Sequence, residues 1–245
     1  MVRQIKLGDI AIDVVQKNIK NVHLSVYPPA GRVRISAPSR MKLDTIRVFA
    51  VSRLVWIRQQ QKRIRSQERE PARQYLDRES HYLWGQRYLL KVIEVDQSPS
   101  IELKHRRIEL RVRPGTNAER KQALMESWYR DQLRQAVPAL IEKWQPLLHV
   151  KVARFFVQRM KTRWGSCNPR ARTIRLNTDL AKKPPECLEY IVLHEMAHLR
   201  EPNHGARFVA LMDHLMPHWP HSRAELNKLP VREEVWESGK PSKTQ

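Results

Sequence analysis

The spacing of apolar residues along this chain shifts from two to about 3.6 and back, and each shift marks an expected element. Met1 to Val15 reads as a mixed polar strand. Over 20–38, Val22, Leu24 and Val26 alternate with polar neighbours, Pro28-Pro29-Ala30-Gly31 supplies a turn, and Val33 and Ile35 alternate on the return, the pattern of a hairpin. From Leu43 to about Arg69 the period becomes helical, with Ile46, Phe49, Leu54, Ile57 and Ile64 on one stripe. Its last turns are very polar, so a solvated helix end is expected to run into a connector near Pro71.

Strands return from about Tyr82 to Arg113, where Tyr88, Leu90 and Val92, then Ile101 and Leu103, then Ile108, Leu110 and Val112 alternate. Pro114-Gly115 closes this block, and Thr116 or Asn117 stands where a helix cap belongs. The helix continues through Leu124, Trp128 and Leu133 toward Leu140 and Trp144, and Pro138 is expected to kink or break it. Short strands at 152–157 and 173–176 flank a turn-like Trp164-Gly165-Ser166-Cys167-Asn168-Pro169. Pro184-Pro185 fits the first turn of a helix running to Leu199. A second helix begins near His204-Gly205, carries Phe208, Leu211, Met212 and Leu215, and ends at Pro217 and Pro220. No internal repeat is evident. The pattern predicts an α+β chain: a β-rich N-terminal region over 1–115, an α+β region over 116–237 holding the candidate chemistry, and a disordered tail over 238–245.

Composition adds two constraints. Of 245 residues, 41% are hydrophobic, enough for a packed core. No apolar run approaches the roughly 18 residues of a membrane helix, and the N-terminus lacks a secretory apolar segment, so a cytoplasmic protein without membrane association is expected. Cys167 and Cys187 form no CxxC pair and read as reduced thiols. Lys and Arg number 46 against 25 Asp and Glu, a net charge of +21. That excess attracts polyanions, so nucleic-acid association is one expectation, although the charge is spread along the chain rather than gathered in one arm.

The candidate chemistry lies in His194-Glu195-Met196-Ala197-His198, an HExxH motif. Residues four apart on a helix stack on one face, so both imidazoles can reach one ion. Glu195 lies about 100° round the helix, near that ion without binding it. A zinc ion so held would lower the pKa of a water to about 7, and Glu195 would take the proton. His204 follows six residues after His198, past Pro202-Asn203, where the chain can turn back to supply a third ligand. The gap equals that of metzincins, but Glu201 replaces their glycine and no Met-turn is found. Glu201 and Glu225 are alternative ligands and His214 and His218 alternative supports, but each reads as an ordinary surface or packing residue, and His204 is preferred.

The run RWGSCNPRARTIRLNTDLAKKPPECLEYIVLHEMAHLREPNHGARFVALM, 163–212, resembles the YgjP-like metal-dependent hydrolases, which are similar in turn to the SprT and WLM zinc proteases. RWGSC, PPECLEYIV, HExxH and NHGxRF carry the resemblance, which extends more loosely over most of the chain. It implies a zincin-like catalytic half with ligands His194, His198 and His204 and a catalytic Glu195, in agreement with the spacing. It also implies that RWGSC borders the cleft, with Arg163, Trp164 and Ser166 as candidate substrate contacts. Against that, Trp164 can be read as core and Gly165 as a turn former.

Three functions follow. The first is a zinc metallopeptidase acting on a peptide or protein, with Tyr190, Arg200 or Arg207 as candidate oxyanion donors. The second is a metal-dependent nucleoside triphosphate pyrophosphohydrolase or phosphohydrolase, with Arg163, Arg172, Arg175 and Arg207 as phosphate clamps. No Walker-type loop supports it. The third is a protease acting on nucleic-acid-associated proteins.

Overall fold

The computed structural model describes residues 2–27, 30–66, 69–70, 73–160, 163–228 and 231–232. The chain forms two compact units, one drawn from 1–72 and 230–245, the other from 73–229. Strands dominate the N-terminal half and helices the remainder. The Pro28-Pro29 turn, the connector at Pro71 and the tail expected over 238–245 lie outside the described residues.

In the first unit, β1 (Val2–Leu7) and β2 (Ile10–Lys17) pair antiparallel around Gly8, whose φ of +60° is readily adopted only by glycine. β3 (His23–Tyr27) and β4 (Arg32–Pro38) form the expected hairpin, and β4 lies parallel to β2, giving the order β1-β2-β4-β3. Ile12, Val14, Val33 and Ile35 fall on one face at period two and are buried. The single helix expected from Leu43 is two, α1 (Leu43–Ser52) and α2 (Leu54–Ser66). Arg53 closes the first at φ −106° and ψ 7°, donating its N–H to the Ala50 carbonyl. Ile46, Ala50 and Ile57 from these helices complete the same core. A two-residue strand, β5 (Arg69–Glu70), pairs parallel with Val231–Arg232.

The second unit opens with β6 (Ser80–Leu83), β7 (Gln86–Glu94), β8 (Ser100–Lys104) and β9 (Arg107–Val112). Their order is β6-β7-β9-β8, with antiparallel, parallel and antiparallel pairings in turn. The first unit's sheet has the same order and the same sequence of pairings. Each is followed by a helix. The architecture therefore repeats, contrary to the expectation from sequence. The repeat lies in strand pairing rather than side-chain identity, and strand lengths differ between the copies.

α3 (Ala118–Leu148) is capped by Asn117, whose side chain accepts from the Arg120 N–H. The expected interruption at Pro138 does not occur: the helix runs unbroken through it. Pro138 is exposed, so the carbonyl it deprives of a partner can be met by water, while Leu133, Val137 and Ile141 are buried along another stripe of the helix. The loss of about 3 kcal/mol at a helix proline is offset by two or three such burials at roughly 1.5–3 kcal/mol each. Leu83, Leu90, Ile108, Leu110 and Val112 share one core with α3, so the boundary expected near 115 lies inside this unit.

β10 (Arg154–Gln158), β11 (Gly165–Asn168) and β12 (Thr173–Asn177) make a three-stranded sheet in the order β10-β12-β11, which leaves β11 at an edge. A 3₁₀ turn over Thr178–Lys182 leads to α4 (Pro185–Ala197), α5 (Ala206–Leu215) and α6 (Trp219–Lys228), and Val231–Arg232 is β13. α6 is absent from the sequence expectation because Pro217 and Pro220 read as terminators. Pro220 instead sits in its first turn, where a missing N–H costs nothing. No helix among the described residues is long and apolar enough to cross a membrane.

Candidate active site

α4 begins with Pro185 in its first turn and buries residues nearly all round: Cys187, Leu188, Tyr190, Ile191, Val192, Leu193, Met196 and Ala197. Such a helix is an interior element, and it packs against α3, α6 and β11. His194 and His198 stand one turn apart near its end, with ring centroids 4.9 Å apart. His198 caps the helix, and the Arg200 and Glu201 N–H groups both turn back to the Ala197 carbonyl. Pro202 stops any continuation, and the chain returns His204 to the other two.

The three rings converge. His204 Nε2 lies 3.1 Å from His198 Nε2 and 3.0 Å from His194 Nε2. This is the one group of three potential metal ligands found among the described residues. His198 Nδ1–H donates to the Glu201 carbonyl at 3.1 Å, which leaves its Nε2 as a lone pair. Burial, then the neighbouring His198 and His204, pushes His194 down to about 3, and burial also lowers His198. These two rings are therefore neutral at pH 7, the form in which an imidazole nitrogen can bind a cation. Tetrahedral zinc with nitrogens at about 2.0–2.1 Å sets them about 3.3 Å apart, close to the spacing seen, so the residues fit the ion.

Phe208, 2% exposed, lies under the triad. Its ring centroid is 5.0 Å from His194, 4.8 Å from His198 and 4.9 Å from His204. In the sequence it stands out only as an apolar helix position and as the end of the NHGxRF motif. Phe208→Leu keeps the site apolar but removes the ring that stacks on His198 and meets His194 and His204 edge to face. We expect zinc affinity, measured by chelator competition, to fall about tenfold, in the range of losses for groups that orient ligands; unchanged affinity would mean that Phe208 is only filler.

Glu195 is 5% exposed, and burial pushes its carboxyl up to about 7 against the opposing pull of Arg163. Arg163 is thus brought within electrostatic reach of Glu195. The Trp164 ring is half-buried against the core, with Lys183 Nζ 5.9 Å from its centroid. Cys167 lies on the Glu195 side of β11, since burial and then Glu195 raise its thiol to about 11. Strand alternation puts Gly165 on that side too and turns Ser166 to the other. Ser166 is thereby directed away from Glu195. Asn177 fixes the approach to β11, donating through Nδ2 to the Met160 and Arg163 carbonyls at 2.8 and 2.9 Å.

Of the remaining candidates, Glu201, Glu225, His214 and His218 are not in the cluster. Glu201 contributes its carbonyl, not its carboxylate. Tyr190, 4% exposed, sets its ring edge-on to His194 at 5.7 Å and stacks on Trp219 at 6.1 Å. Burial raises its phenol. Arg200 and Arg207 are exposed. Of the expected phosphate clamps, Arg172 occupies a left-handed turn at φ 50° and Arg175 lies over the Phe156 ring. Arg223 of α6, which the sequence did not single out, acts on both His194 and Tyr190 and lies over Trp219.

Comparison with known families finds a match over residues 20–229 to the family described as YgjP-like, metallopeptidase domain. Among solved structures, the metallopeptidase zymogen of Pyrococcus abyssi abylysin is similar at 20% identity, over 40% of this chain and 99% of that one, with a TM-score of 0.37. The metallopeptidase zymogen of Methanocaldococcus jannaschii jannalysin is similar at 21% identity, over 37% of this chain and 92% of that one, with a TM-score of 0.34. Comparison with curated proteins found no match.

Proposed function

The chain belongs to the YgjP-like metallopeptidase family, and from that membership we propose that it hydrolyses peptide bonds with zinc held by His194, His198 and His204 and with Glu195 as the base. The observation that carries this reading is the meeting of three imidazole nitrogens at 3.0 and 3.1 Å. An all-nitrogen donor set suits zinc or a similar transition ion, whereas magnesium takes oxygen ligands. Three protein ligands leave a fourth position open, as in catalytic sites and unlike closed structural ones. When bound, zinc polarises a carbonyl and makes a water molecule nucleophilic near neutral pH.

The chain's own residues supply the rest. Glu195 accepts the proton of the attacking water at a carboxylate oxygen and returns it to the departing amine nitrogen. Its burial favours a carboxyl that holds and then releases a proton, instead of one that stays ionised throughout. Arg163, close enough to oppose that burial, limits how far the carboxyl is raised. The expected nucleotide and nucleic-acid substrates gain no support from family membership, and the peptide reading stands first.

The test is to incubate the zinc-loaded protein with an unfolded protein and, separately, with a nucleoside triphosphate panel. New peptide termini, detected by mass spectrometry and abolished by a chelator, are the expected result. Release of phosphate or pyrophosphate without peptide cleavage would replace this reading with phosphohydrolysis.

A further inference from the structure

We propose that Gly165 is a positioning residue for Glu195: the missing side chain at this point of β11 sets where the carboxylate stands. The proposal rests on the reading of Glu195 as the base. Glycine here does not serve a turn. Gly165 opens β11, pairs with Leu176 of β12, and is not among the residues with left-handed backbone. What it provides is room. A Cβ at Gly165 would stand 2.6 Å from Glu195 Oε1, 2.7 Å from its Cγ and 2.9 Å from its Cδ. Carbon atoms in folded proteins do not approach so closely, so something must move.

Neither partner can withdraw easily. Glu195 is 5% exposed on a helix buried nearly all round, so α4 has little space behind it. β11 is held by its register with β12 and by the Asn177 bonds to the chain just before it. The remaining freedom is in the Glu195 side chain, whose carboxylate is the reacting group. A displacement of about 1 Å at such a group is enough to cost on the order of a hundredfold in turnover.

The experiment is a double-variant cycle in the full-length, zinc-loaded chain: Gly165→Ala, Glu195→Ala and the two together, read by zinc content, unfolding midpoint and kinetics. Gly165→Ala is expected to keep one zinc per chain, to lower kcat about tenfold to a hundredfold and to leave KM within about twofold. It should also lower the midpoint by several degrees, as overpacking does. In the Glu195→Ala background the same substitution should leave the midpoint unchanged or raised, because the added methyl enters the space that the carboxylate vacates. A fall of equal size in both backgrounds would show that the glycine serves the backbone and would overturn the proposal. An unchanged kcat in Gly165→Ala would overturn it as well. Should Gly165→Ala fail to fold alone, recovery of folding in the double variant supports the contact and continued failure overturns it. If the midpoints couple but Glu195→Gln leaves turnover intact, the reading of Glu195 as base falls and the steric contact stands.

Discussion

Replacing Glu195 by glutamine in the zinc-loaded chain is expected to lower kcat for peptide hydrolysis about 10³-fold while leaving zinc stoichiometric and KM nearly unchanged. The amide matches the carboxylate in shape, so the tight packing against β11 is kept, yet it cannot accept the proton. General-base catalysis contributes roughly 10²–10⁴-fold, and a carboxylate with 5% exposure has no water-borne substitute at hand. None of the three ligands is altered, so chelator competition should give the parent affinity. Turnover within threefold of the parent would exclude Glu195 as the base. Loss of zinc along with activity would instead indicate that the carboxylate supports the metal.

The second large effect is expected at His204. His204→Ala should weaken zinc binding by more than 100-fold, since even groups that only orient ligands cost 10- to 100-fold when removed. His204 is the most informative of the triad because it is exposed, whereas His194 and His198 are partly buried. Its removal disturbs the core least, and a change in zinc affinity then reports coordination. His214→Ala and His218→Ala, both outside the cluster, are the matched controls and should bind zinc as the parent does. Equal affinity in His204→Ala would remove it as a ligand and reopen the choice of a third donor.

The parts of this site that were legible in sequence are those governed by short-range geometry. His194 and His198 meet because a helix brings residues four apart onto one face, and no knowledge of the rest of the fold is needed. His204 was readable because Pro202 must stop the helix within a few residues. Phe208 was visible only as one member of an apolar stripe and as the end of the NHGxRF motif; that its ring lies beneath three imidazoles depends on how α5 packs on α4. Gly165 was misread for a related reason. A glycine between turn-like residues suggests a bend, and only the approach of Glu195 from a different element, 30 positions along the chain, shows that its function is clearance. Pro138 and Pro220 mislead in a simpler way. The cost of a proline depends on which face of a helix it occupies and in which turn, and neither is set by the dipeptide itself.

The two four-stranded sheets share one plan, yet the histidines occur once, well after the second copy has been followed by its helix. In each copy a tight turn at a left-handed glycine, Gly8 or Gly85, starts the sheet, and its inner strands run parallel. The side chains that fill the two sheets differ, so the repeat is carried by strand order and pairing alone. The common requirements of the plan are thus few: a glycine at the first corner and an apolar inner face. Beyond those two features one plan accepts different side chains and different strand lengths, as the two sheets themselves demonstrate.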